Sequence, residues 1–179
     1  MIIFFVRHAS AGQHMVNPKK DEKRPLDSEG IEQCNSVGRA LAALNVQPDV
    51  VISSPLKRAT QTASLIGNEI GYEGKLQLEA AMRPEASFAD FRKMLEKYSR
   101  HEAIMVVGHN PSITEVLARL IAKSGSEAQI DFKKGAVARA ETERHGATLN
   151  WFFTPKIARA VQDAAKAAAE KSQPKTSRK

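Results

Sequence analysis

Ile2-Ile3-Phe4-Phe5-Val6-Arg7-His8 follows the initial methionine. Five apolar residues without a polar interruption read as a strand buried on both faces, the pattern of a parallel sheet. The run stops at a cation and an imidazole. The same transition recurs twice: Val50-Val51-Ile52 runs into Ser53-Ser54-Pro55, and Ala103-Ile104-Met105-Val106-Val107 runs into Gly108-His109-Asn110-Pro111.

Helical patterns separate these strands. After a polar loop through Arg24, Leu26-Asp27-Ser28-Glu29 offers an N-cap, and Ile31, Cys34, Val37, Leu41 and Leu44 follow at helical spacing until Pro48. Ser54 supplies a capping hydroxyl and Pro55 suits a first helical turn, so a further helix runs from there to about Asn68. Leu76 and Leu78 suggest a short strand. Phe88, Phe91, Met94 and Leu95 mark a helix closed by Ser99 or Arg100, and Ile113, Val116, Leu117, Leu120 and Ile121 mark the next. Ala136 to Glu141 and Thr148 to Phe153 form a hairpin across Glu143-Arg144-His145-Gly146. From Lys156 an alanine-rich helix carries Ile157 and Val161 and frays into a polar end.

Strands alternating with helices predict an α/β fold, a three-layer sandwich with a largely parallel mixed sheet flanked by helices. A chain of 179 residues suits one domain. Residues 1–160 are expected to form it, and residues 161–179 to be the helix end and a basic disordered tail.

The formal charge of +7 is concentrated at that end, where seven Lys/Arg from Lys156 onward face only Asp163 and Glu170. The body is close to neutral, which argues against specific nucleic-acid binding and against a membrane partner. Cys34 is the only cysteine, so neither an intrachain disulfide nor a cysteine-rich zinc site can form. The N-terminal apolar run is interrupted by Arg7 and is too short for a signal peptide or a membrane span. A cytoplasmic protein is expected.

In a parallel sheet ligands sit at the carboxyl ends of the strands. Arg7-His8, Ser53-Ser54 and Gly108-His109 all lie there, and Arg58 falls in the first turn of the following helix. Taken singly these are a strand-end arginine, a capping serine and a turn histidine. Together, two histidines and two arginines beside two helix N-termini make a concave set of donors for a phosphoryl dianion. No carboxylate cluster for a cation is evident, and neither a metal nor a cofactor is expected.

Phe5-Val6-Arg7-His8-Ala9, Ser53-Ser54-Pro55-Leu56-Lys57-Arg58-Ala59-Thr60-Gln61-Thr62-Ala63 and Val107-Gly108-His109-Asn110 resemble the histidine phosphatase superfamily, also called phosphoglycerate-mutase-like. The short chain and the segment from Arg24-Pro25-Leu26 to Gly30 are similar to SixA-type phosphohistidine phosphatases. The resemblance implies that His8 is a nucleophile phosphorylated during turnover, with Arg7, Arg58 and His109 gripping the phosphoryl oxygens. A neutral imidazole presents a lone pair near neutral pH where lysine would be protonated, and guanidinium groups stay charged. Ala9 stands where the family commonly has glycine. His14 and Asn17 follow the nucleophile and are candidates to border the pocket, whereas His101 and His145 read as solvent-exposed.

Relatives that cleave oxygen esters use an acidic residue to protonate the leaving group. In Glu79-Ala80-Ala81-Met82-Arg83-Pro84-Glu85, Ala81 stands near that position, with Glu79 and Glu85 as displaced candidates. A phosphohistidine needs an acid less, because its leaving imidazole can already be protonated. The expected function is therefore removal of phosphate from phosphohistidine on a partner protein such as a phosphotransfer domain. The alternative is a small-molecule phosphomonoesterase. A non-catalytic phosphoprotein-binding module fits less well, because His8 is intact. A mutase would need a lid segment for which the chain has no room.

Overall fold

The computed structural model describes residues 1–122, 128–144 and 146–172. The elements in chain order are β1 (Ile2–Arg7), α1 (Pro18–Glu22), α2 (Ser28–Ala43), β2 (Val50–Ser53), α3 (Lys57–Glu69), β3 (Gln77–Leu78), a 3-10 turn at Ala80–Met82, α4 (Phe88–Lys97), β4 (Ala103–Gly108), α5 (Ser112–Ile121), β5 (Val137–Glu143), β6 (Gly146–Phe153) and α6 (Pro155–Ser172). One sheet of six strands has the order β3-β2-β4-β1-β5-β6. The pairs among β3, β2, β4 and β1 are parallel, and β5 is antiparallel to both β1 and β6.

The apolar run of β1 has a direct physical cause. Lying between β4 and β5, it is covered on both faces. Phe4 and Val6 pack with Val37 and Leu41 of α2, Ala59, Ala63 and Ile66 of α3, and Ala158 of α6. Ile3 and Phe5 point the other way, toward Phe91 and Met94 of α4 and Ile113, Val116 and Leu117 of α5. Alternate residues of one strand thus serve two cores, and the fold is the expected three-layer α/β sandwich. Each fully buried side chain of this size contributes roughly 1.5–3 kcal/mol.

Helix boundaries and faces depart from expectation at several points. Ile31 and Leu44 are exposed, because the buried stripe of α2 runs through Gly30, Cys34, Val37 and Leu41, and Leu44 is already the C-cap before Asn45 turns the chain at φ 53°. Ile157 and Val161 are exposed too. Pro155 and Ala158 turn inward instead, and Gln162 Nε2 donates to the Ser36 carbonyl of α2 at 2.8 Å. The hairpin forms with slightly longer strands than expected, while His145 at its turn and the chain end beyond Ser172 lie outside the described residues. The polar stretch before Arg24 holds a helix, α1. Its signal was present in Asn17-Pro18: the Asn17 side chain accepts from Lys20 N and the proline occupies the first turn.

Gly30 fixes how α2 meets the segment after β1. A Cβ at this position would lie 2.0 Å from the Ser10 carbonyl oxygen, a backbone atom that cannot swing away. Gly30→Ala is expected to destabilise the protein by about 2 kcal/mol, as overpacking does, and to lower Tm by roughly 4–8 °C. Thermal unfolding measures it, and an unchanged Tm would show that the helix can recede without cost.

Candidate active site

The parallel register brings three strand ends to one edge. Arg7 pairs with Gly108 across β1 and β4, and Ser53 with Val107 across β2 and β4. Each following residue therefore emerges over the same side of the sheet. Arg7, His8, Arg58 and His109 line a single open cavity of about 610 Å³. Gly135, at φ 70°, donates its N–H to the carbonyls of Arg7 and His8 and so holds the main chain on which the nucleophile candidate sits.

His8 is buried, and its Nδ1 lies 2.8 Å from its neighbour's carbonyl, Ala9 O. A carbonyl only accepts, so Nδ1 carries the proton and Nε2 is left with the lone pair. Burial, with the positive charges of Arg58, Arg7 and Arg24, pushes the imidazole down to about 3, outweighing the bond to Ala9. The ring is neutral. Ala9 N donates to Thr62 Oγ1, which itself donates to Arg58 O, so the nucleophile turn and α3 are stitched together. Alanine after the histidine is accommodated without exposure.

The His109 ring lies 4.8 Å from that of His8, centroid to centroid, and its Nε2 is hydrogen-bonded to Ser54 Oγ at 2.9 Å. Burial, then His8 and the arginines, keep it neutral as well. Ser54 is thus a partner of His109. It does not cap α3, which begins at Lys57 after Leu56 and has no side-chain cap. The expected capping role fails because the chain makes one more turn at Pro55-Leu56 before the helix starts.

Arg58 lies in the first turn of α3, but it is not free. Its Nη1 donates to Asp21 O at 3.0 Å and to Asp21 Oδ2 at 3.2 Å. Asp21 also accepts from Arg24 Nε at 2.8 Å and from Met15 N at 2.9 Å. All three side chains are at most 10% exposed. Burial alone would raise the Asp21 carboxyl, yet these bonds and the charges of Arg58 and Arg24 hold it well below the usual carboxylate range. Arg24 further donates to Ala11 O and Gly12 O. Asp27 gathers Ser10 Oγ, Gly12 N and Gly30 N. Asp21 and Arg24 are the residues that sequence reasoning missed. The cap signal at Asn17-Pro18 and the Asp21, Arg24 spacing of one helical turn could have pointed to them.

Among the described residues three buried side-chain atoms lack a hydrogen-bond partner, Arg7 Nε, Arg58 Nε and His109 Nδ1. Such atoms are rare in native interiors, and these belong to the three residues that the resemblance implies grip the phosphoryl oxygens.

The other candidates are divided. His14 and Glu85 border the cavity, whereas Asn17 does not and serves as the cap of α1. Glu79 is turned away, accepting from Lys97 Nζ and from Tyr98 Oη at 2.7 Å. Glu22, on α1, also borders the cavity and pairs with Arg83 Nη1 at 2.9 Å, while Glu85 lies 3.5 Å from the same atom. His101 is half-buried beside Tyr98 just before β4, at the opposite end of the sheet, so its expected exposure is only partial. Among the described residues no group of three or more His, Cys, Asp or Glu could hold a metal ion, and no helix is long and apolar enough to cross a membrane.

Residues 3–97 match the model of the histidine phosphatase superfamily, branch 1. Phosphohistidine phosphatase SixA of Escherichia coli is 23% identical over 167 residues, covering 90% of this chain and 100% of that one. An uncharacterized protein of Picosynechococcus is 28% identical over 140 residues, 76% of this chain and 82% of its own. A solved structure of the protein histidine phosphatase SixA complexed with tungstate superposes with a TM-score of 0.77 at 22% identity, over 88% of this chain and 99% of that chain.

Proposed function

Because the chain belongs to the histidine phosphatase superfamily, branch 1, and is a phosphatase of that family, we propose that it removes phosphate from phosphohistidine on a partner protein, through an intermediate on His8. The observation that carries this reading is the tautomer of His8, a neutral ring with Nδ1 protonated against Ala9 O in a cavity that Arg7, Arg58 and His109 also line.

The chemistry follows from those positions. The Nε2 lone pair attacks phosphorus while Arg7, Arg58 and His109 bind the non-bridging oxygens, the kind of positioning and charge stabilisation on which phosphoryl transfer depends. The bond from phosphorus to the substrate nitrogen breaks, and its electron pair stays on a leaving imidazole that is neutral because its other nitrogen already carries a proton. Phospho-His8 keeps the Nδ1 proton and is therefore a phosphoimidazolium. Its own leaving group is a neutral imidazole, so water can displace it without an acid. The products are inorganic phosphate, which takes the proton lost by water, and the starting His8.

The surroundings of the leaving group favour a phosphoramidate. Glu79 is engaged by Lys97 and Tyr98 outside the cavity, and Ala81 offers no proton. The SixA relative, a phosphohistidine phosphatase, points the same way. The second reading, a small-molecule phosphomonoesterase, rests on Glu85 and Glu22, which do border the cavity.

Parallel rates on a phosphohistidine peptide and a panel of phosphomonoesters distinguish the two. Phosphohistidine should be turned over faster, and Glu85→Gln and Glu22→Gln should leave that rate within about twofold. Faster turnover of an ester, with a loss of roughly 10²–10⁴-fold in either glutamine variant, the usual size of general acid catalysis, would establish the esterase instead.

A further inference from the structure

The stretch His14-Met15-Val16-Asn17-Pro18-Lys19-Lys20-Asp21-Glu22-Lys23-Arg24 carries mixed charge in sequence, but the fold sorts it. Asp21 and Arg24 turn inward to Arg58 and the nucleophile turn, and Glu22 reaches across to Arg83. Lys19, Lys20 and Lys23 stay outside, exposed and without an ion pair among the described residues. Ahead of them Val16 is 100% exposed and Met15 41% exposed.

This apolar knuckle is not a fraying loop tip. Gly12 N is held by Asp27, Met15 N by Asp21, and Asn17 caps the helix that follows. Single exposed apolar residues are ordinary. Two adjacent ones, anchored on both sides and flanked by His14 and Pro18 of the cavity wall, are a preorganised contact beside the reacting group.

We propose that Met15–Lys23 is the docking surface for the protein that carries the phosphoryl group. Met15 and Val16 meet an apolar spot next to the phosphohistidine, and Lys19, Lys20 and Lys23 face an acidic surround. The inference rests on the phosphohistidine reading and names the chemistry of the partner's surface. With Asp21 buried and Glu22 paired to Arg83, the charges of α1 and its C-cap left without an ion pair among the described residues are the three lysines, a cationic set that complements an acidic surface.

The test compares free phosphohistidine with an isolated histidine-containing phosphotransfer domain phosphorylated by phosphoramidate. Val16→Asp should lower kcat/KM on the domain by at least about tenfold, the effect of losing one anchoring side chain, and leave the rate on free phosphohistidine within twofold. Charge reversal at Lys19, Lys20 and Lys23 should do the same and remove the fall of the wild-type rate with added salt. Equal losses on both substrates, no loss on either, or a wild type that handles the domain no faster than the free amino acid would overturn the docking surface. So would binding of phosphatidylserine vesicles that is abolished by these variants while turnover of the domain is unchanged. If the wild type hydrolyses only phosphomonoesters, the phosphohistidine reading falls and the docking partner with it.

Discussion

In His8→Ala, turnover of every phosphorylated substrate is expected to fall by at least ~10³-fold, the scale of losing a covalent nucleophile, while the protein stays folded and still binds an oxyanion such as vanadate. The variant removes the lone pair at Nε2 but leaves Arg7, Arg58 and His109 on their own anchors: Phe132 O for Arg7, Asp21 for Arg58 and Ser54 for His109. Quenched wild-type mixtures should carry acid-labile, alkali-stable phosphate on His8. Label on another residue, or activity surviving in the alanine variant, would remove His8 from the mechanism.

The depressed titration of His8 adds a pH signature. With the free imidazole titrating near 3, kcat/KM should stay level from pH 7 to pH 5 once substrate ionisation is corrected for. Stability moves differently. His8 and His109 are buried neutral, whereas in the unfolded chain they take up protons below their usual value of about 6.5, so stability declines as pH falls below that point.

Asp21→Ala is expected to cost roughly 3–5 kcal/mol, because it leaves the guanidinium groups of Arg24 and Arg58 buried beside each other without their shared anion. At this chain length that corresponds to a Tm lower by about 6–20 °C. Turnover should fall as well, since Arg58 loses the contact that aims it, and Met15 N loses its acceptor. Asp21→Asn keeps the size and one oxygen acceptor but not the charge, so it should lie between the wild type and alanine in both measurements. The pH dependence has a definite sign. The Asp21 carboxyl is held below its ordinary range, so its stabilisation is fully present above about pH 4 and is lost as acid protonates it, and the asparagine variant should lack that acid limb. An alanine variant as stable as the wild type would show that the buried cluster of Asp21, Arg24 and Arg58 is not a structural element.

Much of the architecture was legible because it follows from periodicity. A strand covered on both faces cannot tolerate polar residues, so Ile2–Val6 and Ala103–Val107 announce a central parallel sheet, and parallel strands place their carboxyl ends together. That is why Arg7, His8, Arg58 and His109 could be assembled on one edge from sequence alone, and why the cavity between them was expected. Helix faces were read less well. Ile157 and Val161 have helical spacing, yet α6 turns Pro155 and Ala158 inward, because a small side chain permits the approach to α2 that a branched one would block.

What only the tertiary structure decided is which polar groups meet. Asp21 and Arg58 are far apart in sequence, and although the Asn17 cap and the one-turn spacing to Arg24 hint at Asp21, nothing local says that its carboxylate meets Arg58. The choice falls to Asp21 because α1 is pinned between Asn17 and the two guanidinium groups. Ser54 looked like a cap and became the partner of His109 when β2 and β4 paired. Glu79 and Glu85 looked equivalent until the sheet and α4 sent one to Lys97 and left the other at the cavity. Hydrophobic pattern is local and repeats along the chain, so one sequence carries it. A hydrogen bond between distant residues depends on a few ångströms of approach, and only the packed molecule sets that distance.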